Sequence, residues 1–186
     1  MSEDGLEQTK WEVLRSELIF EHPFITVSME QVLLPNGRLI PDWPKIHTND
    51  YVNALVINKD GEALIFEGYR HGTGRVTWQL MGGYIETGED PLTAVQRELL
   101  EESGYSASEW TYLGSFIVDP NRHIGVGHLF CAQNALPKTM PNNDDLEESV
   151  IRWVPLKDLR HALIDGRLAA MSYATTVSLA LLTILK

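Results

Sequence analysis

The sequence predicts an α/β fold: a mixed sheet covered by helices on its faces, with a small β extension ahead of it. Three observations predict this. Strand-like and helix-like segments follow one another in mixed order, without a regular βαβ rhythm. One helix, Pro91–Ser103, carries start and stop signals at its two ends. The 186 residues suit one domain with a short appendage, and 44% hydrophobic with 22% charged residues exclude a disordered chain or a disulfide-stapled miniature.

The elements follow in order. The first ten residues read as a loose, acidic tail without the basic start and apolar run of a secretory signal. Residues 18–34 (LIFEHPFITVSMEQVLL) are rich in β-branched and aromatic types. They meet the turn Pro35-Asn36-Gly37 and then Arg38-Leu39-Ile40, a hairpin-like portion. Pro41, Pro44 and Thr48-Asn49-Asp50 mark a boundary, giving an extension at residues 1–47 and a main domain at residues 48–186. There VNALVIN (52–58) and EALIFEGYR (62–70) flank Lys59-Asp60-Gly61, two strands about a tight turn. Further strands are expected at residues 110–118, 127–132 and 150–154, and helices at Pro91–Ser103, 156–164 and 172–185.

The first of these helices carries the chemistry. Asp90 suits its cap, Pro91 its first position and Gly104 its left-handed stop. Leu92, Val95 and Leu99 fall on one side and form the stripe expected to bury. At about 100° per residue, Glu98, Glu101 and Glu102 occupy an arc of roughly 100°, offset from that stripe. Three like charges on one face repel, and Arg97 is the only base nearby. A bare ExxEE is most often a solvated acidic face. A divalent cation offsets the repulsion, and hard carboxylate oxygens on a rigid element suit Mg²⁺ or Mn²⁺.

Charge narrows the partners. The net charge is −11 and no basic stripe is present, which disfavours nucleic acid and anionic membrane surfaces. An anionic substrate then needs a metal held by carboxylates to neutralise it. Residues 168–185 carry no charge, yet they hold two Ser and three Thr, and they read as an amphipathic helix on the core rather than a membrane span. The lone Cys131 fits a reducing compartment, and a cytoplasmic setting is expected. It lies in an apolar run, as core rather than nucleophile. The six histidines form no ligand-spaced set, and no G-x-S-x-G or P-loop pattern occurs.

Gly83, five residues, Glu89, seven residues, then Arg97-Glu98-Leu99-Leu100-Glu101-Glu102-Ser103-Gly104-Tyr105 resembles the Nudix box, G-x5-E-x7-R-E-U-x-E-E-x-G-U with U bulky and apolar. All seven invariant letters match, and chance agreement at one start is on the order of 10⁻⁸. The resemblance implies a Nudix-type α/β/α sandwich that cleaves a nucleoside diphosphate linked to another moiety. It implies Glu98 and Glu102 as principal metal ligands, joined by the Gly82 carbonyl, with Glu101 a third ligand or a bridge to a second metal. One to three Mg²⁺ or Mn²⁺ ions are expected. Arg97 would orient the glutamates, through Glu89, rather than touch substrate.

Segments outside the box resemble the ADP-ribose/nucleotide-sugar pyrophosphatase branch: KWEVLRSELIFEHPFITV, PNGRLIPDW and EGYRHGTGRVTWQLMGG, with Pro120 sixteen residues past Gly104. Two departures stand out. Gln79-Leu80-Met81-Gly82-Gly83 replaces the usual E-L-P-A-G, and Asp119-Pro120-Asn121-Arg122 lacks the frequent glycine after proline. The branch implies that Arg70 holds substrate phosphate or ribose and that Trp43, or Trp11, stacks on the base. It implies Glu147 as general base, with Glu148 the near alternative, counted back from Pro155-Leu156-Lys157-Asp158-Leu159. It also implies a homodimer in which the extension reaches the partner's site. The expected reaction is Mg²⁺-dependent cleavage of ADP-ribose to AMP and ribose 5-phosphate. The rivals are another nucleotide sugar such as GDP-mannose, and a non-catalytic domain that binds a nucleotide sugar and regulates a partner. The complete set Arg97, Glu98, Glu101 and Glu102 argues against the latter.

Overall fold

Pro23 and Phe24 break the β-rich N-terminal run, so that Glu12–His22 (β1) turns back onto Ile25–Leu33 (β2) with His22 opposite Ile25. Residues 9–141 and 149–184 are described here, from a computed structural model of the chain. Two strands thus stand where residues 18–34 read as one β-rich stretch, because an alternating pattern does not reveal a two-residue reversal inside it. Leu39–Thr48 (β3) completes an antiparallel sheet in the order β1-β2-β3. It runs through Pro41 and Pro44, which the sequence reading took for a boundary. β3 lies at the sheet edge, the place in a sheet where proline is tolerated. Met1–Asn49 packs as one unit with Ile117–Val126, a segment from the middle of the chain. Within it the Ile46 N–H donates to the Arg122 carbonyl at 3.3 Å.

Asp50–Phe116 and Gly127–Lys186 form the other unit. Its strands are Tyr51–Asn58 (β4), Glu62–Arg70 (β5), Arg75–Gln79 (β6), Met81–Tyr84 (β7), Tyr105–Ser106 (β8), Glu109–Ile117 (β9), Val126–Pro137 (β10) and Ser149–Pro155 (β11). Its helices are Pro91–Ser103 (α1), Leu156–Asp165 (α2) and Met171–Thr183 (α3). The sheet order is β11-β5-β4-β10-β8, with β4 and β10 parallel and the other pairs antiparallel. β4 and β5 pair only at Ile57 and Ala63. Beyond that point β7 takes over the edge of β4 and β6 that of β5. The sheet is therefore split at the end where Tyr51 and Arg70 stand.

Strand alternation sends side chains to two cores. Val52, Ala54 and Val56 of β4 pack with Val95 and Leu99 of α1 on one face. Leu55 and Ile57 pack with Leu159 of α2 and with Val177 and Ala180 of α3 on the other. Helices cover both faces, as the sandwich expectation requires. The α1 caps form as read: Asp90 Oδ1 accepts from the Leu92 and Thr93 amides at 3.1 Å each, and Gly104 takes φ 74°. The bond from the Thr93 hydroxyl holds the Asp90 carboxyl below the usual range. Leu92 is a correction. It shares the stripe by angle, but in the first turn it opens onto a surface cleft beside Trp110 and Tyr112 and stays exposed. At the C-terminus Thr176, Val177 and Ala180 are buried, and among the described residues no helix is long and apolar enough to cross a membrane.

Candidate active site

Two glycines let β7 lie against α1. A Cβ at Gly82 would stand 2.2 Å from the Val52 carbonyl oxygen, and one at Gly83 would stand 2.3 Å from the carboxyl carbon of Glu98. The Gly82 N–H donates to a Glu102 carboxylate oxygen at 3.2 Å. Glu98 and Glu102, one turn apart on α1, thus both face the Gly82-Gly83 backbone.

Arg97 gathers the remaining acids. Its Nη1 donates to Glu98 at 2.8 Å and to Glu101 at 3.1 Å. Its Nε and Nη2 hold both oxygens of Glu89 at 3.0 Å, and Nη2 also donates to the Tyr84 carbonyl at 3.2 Å. This fork is geometry that lysine could not reproduce. The hydrogen bond to Glu89 is the main reason the Arg97 guanidinium holds its proton even more firmly than usual. The same bond draws the Glu89 carboxyl below its ordinary value. Arg97 therefore bonds Glu89, Glu98 and Glu101 at once. Among the described residues no three acidic, histidine or cysteine side chains stand together as a ready metal cage. The Glu98 and Glu101 carboxylates are turned toward Arg97 instead.

Arg70, at the end of β5, donates from Nε to Gln79 Oε1 at 2.5 Å, and Gln79 donates in turn to the Gly68 carbonyl at 3.3 Å. The Gln79 that departs from E-L-P-A-G is thus a neutral anchor for Arg70. Both features belong to one end of the sheet: Arg70, Gly82 and Gly83 line a cavity of about 260 Å³ together with Asn53, Ser172 and Tyr173. Sequence reasoning missed Asn53, Ser172 and Tyr173. The available signal was a polar residue inside the apolar run VNALVIN. Trp43 belongs to the N-terminal sheet, half-buried, packed edge-on to Trp11 with ring centroids 5.1 Å apart. Its indole N–H donates to the Asn121 carbonyl at 3.3 Å. Glu147 and Glu148 lie outside the described residues. Cys131 is buried, and burial pushes its thiol up to about 12, which leaves no thiolate for nucleophilic work.

Residues 47–172 match the NUDIX domain family, and residues 11–44 match the nucleoside diphosphate sugar hydrolase N-terminal domain. The chain is 28% identical over 137 residues to the methanol dehydrogenase activator of Bacillus methanolicus, covering 74% of each chain. It is 29% identical over 120 residues to the ADP-ribose pyrophosphatase of Bacillus subtilis, a match that spans 64% of each chain. A crystal structure of an ADP compounds hydrolase shares the fold with a TM-score of 0.81 over 92% of both chains, at 23% identity. With the box complete from Gly83 to Gly104 and the domain match spanning most of its length, the chain belongs to the NUDIX family and is a Nudix hydrolase related to the ADP-ribose pyrophosphatases.

Proposed function

We propose that the protein hydrolyses a nucleoside diphosphate sugar, foremost ADP-ribose to AMP and ribose 5-phosphate, with Mg²⁺ or Mn²⁺. The observation that carries this reading is the placement of Glu98 and Glu102 against the bare Gly82-Gly83 backbone, beside the cavity that holds Arg70. The donor set fits a hard divalent cation: carboxylates of Glu98, Glu102 and Glu101, with the Gly82 carbonyl, all oxygen. The space a side chain would fill at Gly83 belongs to the Glu98 carboxylate. When bound, the cation supplies Lewis-acid polarisation of the diphosphate and a more acidic water.

The remaining roles fall to the chain's own groups. Arg97 keeps Glu98 and Glu101 in place through its fork, and Arg70 binds a phosphoryl oxygen. Glu147 accepts the proton of the attacking water. A panel of nucleoside diphosphate conjugates including ADP-ribose and GDP-mannose, assayed with Mg²⁺ for phosphate made available to phosphatase, tests the reading. ADP-ribose is expected to lead, with AMP as a product and no turnover in excess chelator. Absence of turnover across the panel overturns it.

Gly83→Ala separates site from fold. The atoms a new Cβ meets are the flexible end of Glu98, so the melting temperature should stay near wild type while Glu98 is displaced and the rate falls. Gly82→Ala meets the Val52 backbone instead and should lower the melting temperature markedly. Melting curves beside the Mg²⁺-dependent rate check both.

The N-terminal unit supports an assembly. All of β1 is exposed and lies at a sheet edge, and Trp11, Val13, Leu18 and Phe20 are about half exposed, a liability that association removes. A closed two-fold homodimer is the commonest solution. In it the Trp43 ring, held edge-on to Trp11, stacks on the substrate base of the neighbouring subunit. Light scattering should report a dimer. Trp43→Ala should raise KM far more than it lowers kcat, because stacking holds ground and transition states about equally.

A further inference from the structure

A second cleft opens between the first turn of α1 and the strands β9 and β10. Its volume is about 390 Å³, within the range of small-molecule sites. Asp90, Pro91 and Leu92 form one wall, and Trp110, Tyr112, His128 and Phe130 form the other. None of these residues lines the cavity beside Arg70, Gly82 and Gly83, so the cleft is a separate feature of the surface.

The aromatic wall is built around Phe130. Trp110 stands edge-on to it, with ring centroids 6.3 Å apart and planes at 79°. Tyr112 is tilted against it at 5.2 Å and lies more nearly parallel to His128 at 6.4 Å. The polar tips of these rings are engaged. The Trp110 indole N–H donates to the Ala107 carbonyl at 3.2 Å, and the Tyr112 hydroxyl stands 3.4 Å from His128 Nδ1. What the wall offers a ligand is therefore chiefly ring surface, with Tyr112 half exposed. Ring faces carry the negative part of the aromatic quadrupole and attract cations.

The opposite wall gives an independent reason. Asp90 is the one carboxylate on the lining, and no Lys or Arg lines the cleft. Its partners among the described residues are all neutral: the Thr93 hydroxyl and the Leu92 and Thr93 amides. Those bonds, the hydroxyl foremost, hold its carboxyl below the usual range, so it is ionised at neutral pH. A charged carboxylate and ring surfaces thus line one cleft with no counter-ion. In a chain of net charge −11 a phosphate-bearing ligand is repelled there, whereas a cation satisfies both walls.

We propose that this cleft binds a small organic ammonium ion, about the size of choline, with its alkylated nitrogen against Trp110 and Tyr112 and its charge balanced by Asp90. Leu92, which the packing of α1 leaves exposed, gains an apolar partner in the alkyl groups.

The test is a magnetic-resonance titration of the full chain, isotope-labelled at tryptophan nitrogen, at about pH 8, where imidazole side chains are neutral. The chain has five tryptophans, and the Trp110 indole signal is the one absent from Trp110→Phe. Choline should shift that signal. Its neutral carbon isostere, dimethylbutanol, has the same shape without the charge and should bind at least about fivefold more weakly. Asp90→Asn keeps a helix cap of about equal quality and removes the charge, so it should melt near wild type and bind choline at least about threefold more weakly. Tyr112→Leu removes a half-exposed ring and should weaken choline by a similar factor. Equal binding of choline and the neutral alcohol, or shifts confined to the other tryptophans, overturns the site. Wild-type choline affinity in a folded Asp90→Asn overturns the charge pairing, and in a folded Tyr112→Leu it overturns the ring wall. If one variant does not fold, the other decides. If a second copy of the chain closes the cleft, choline moves no indole signal and the proposal falls. The titration needs no turnover, so its outcome stands apart from that of the substrate panel.

Discussion

Glu102→Gln is expected to abolish hydrolysis and leave the fold intact. The Glu102 carboxylate accepts from the Gly82 N–H at 3.2 Å, and a glutamine oxygen can keep that bond. What it cannot keep is the charge. Glu98, Glu101 and Glu102 share one arc of α1, so removing one charge relieves repulsion, and the melting temperature should stay at or above wild type. The same removal takes an anionic oxygen from the donor set that would hold a divalent cation. Metal assistance is worth several kcal/mol of transition-state stabilisation, and each 1.4 kcal/mol is tenfold, so a loss of about 10³-fold or more is expected. The check is kcat/KM with saturating Mg²⁺ alongside a melting curve. Unchanged turnover in Glu102→Gln, or full activity of the wild type in excess chelator, would remove the carboxylates from the chemistry.

The parts of this molecule that could be read from sequence are those whose partners are close in sequence. Asp90, Pro91 and Gly104 fix the ends of α1 within one helix, and the box spacing places Arg97, Glu98, Glu101 and Glu102 on one turn-and-a-half of it. VNALVIN shows its strand because its apolar residues feed both cores. What stayed hidden depends on distant pairing. Pro41 and Pro44 look like strand breakers until β3 is known to lie at an edge, and nothing local says so. Leu92 fits the apolar stripe by angle, but whether another residue covers the first turn of α1 is set by β9 and β10. Asn53 meets Thr176 across 123 positions, and Arg70 meets Gln79 only because β6 folds back onto β5. The separation of β4 from β5, which opens the cavity, is likewise a matter of register and not of composition.

Glu147→Gln is expected to lower kcat by roughly 10²–10⁴ with little change in KM, the signature of a lost general base. The residue itself lies outside the described segments, so the argument rests on the elements that follow it. β11 ends at Pro155 and α2 starts at Leu156, the boundary from which Glu147 was counted. β11 runs antiparallel to β5 with Ser149 opposite Gly68, two residues from Arg70. The chain therefore joins β11 at the end of the sheet where Arg70, Gly82 and Gly83 line the cavity, and not at the opposite end. A base must come within hydrogen-bond reach of the attacking water, and Ser149, the first described residue after Glu147, stands at that end of the sheet. Steady-state kinetics on Glu147→Gln and Glu148→Gln separate the two neighbours: the large kcat loss should follow Glu147, and its appearance in Glu148→Gln would shift the register by one. If neither variant slows the reaction, the base belongs to the box. Glu101 is then the candidate, half-exposed and held by Arg97 Nη1 at 3.1 Å, and Glu101→Gln should carry the loss instead.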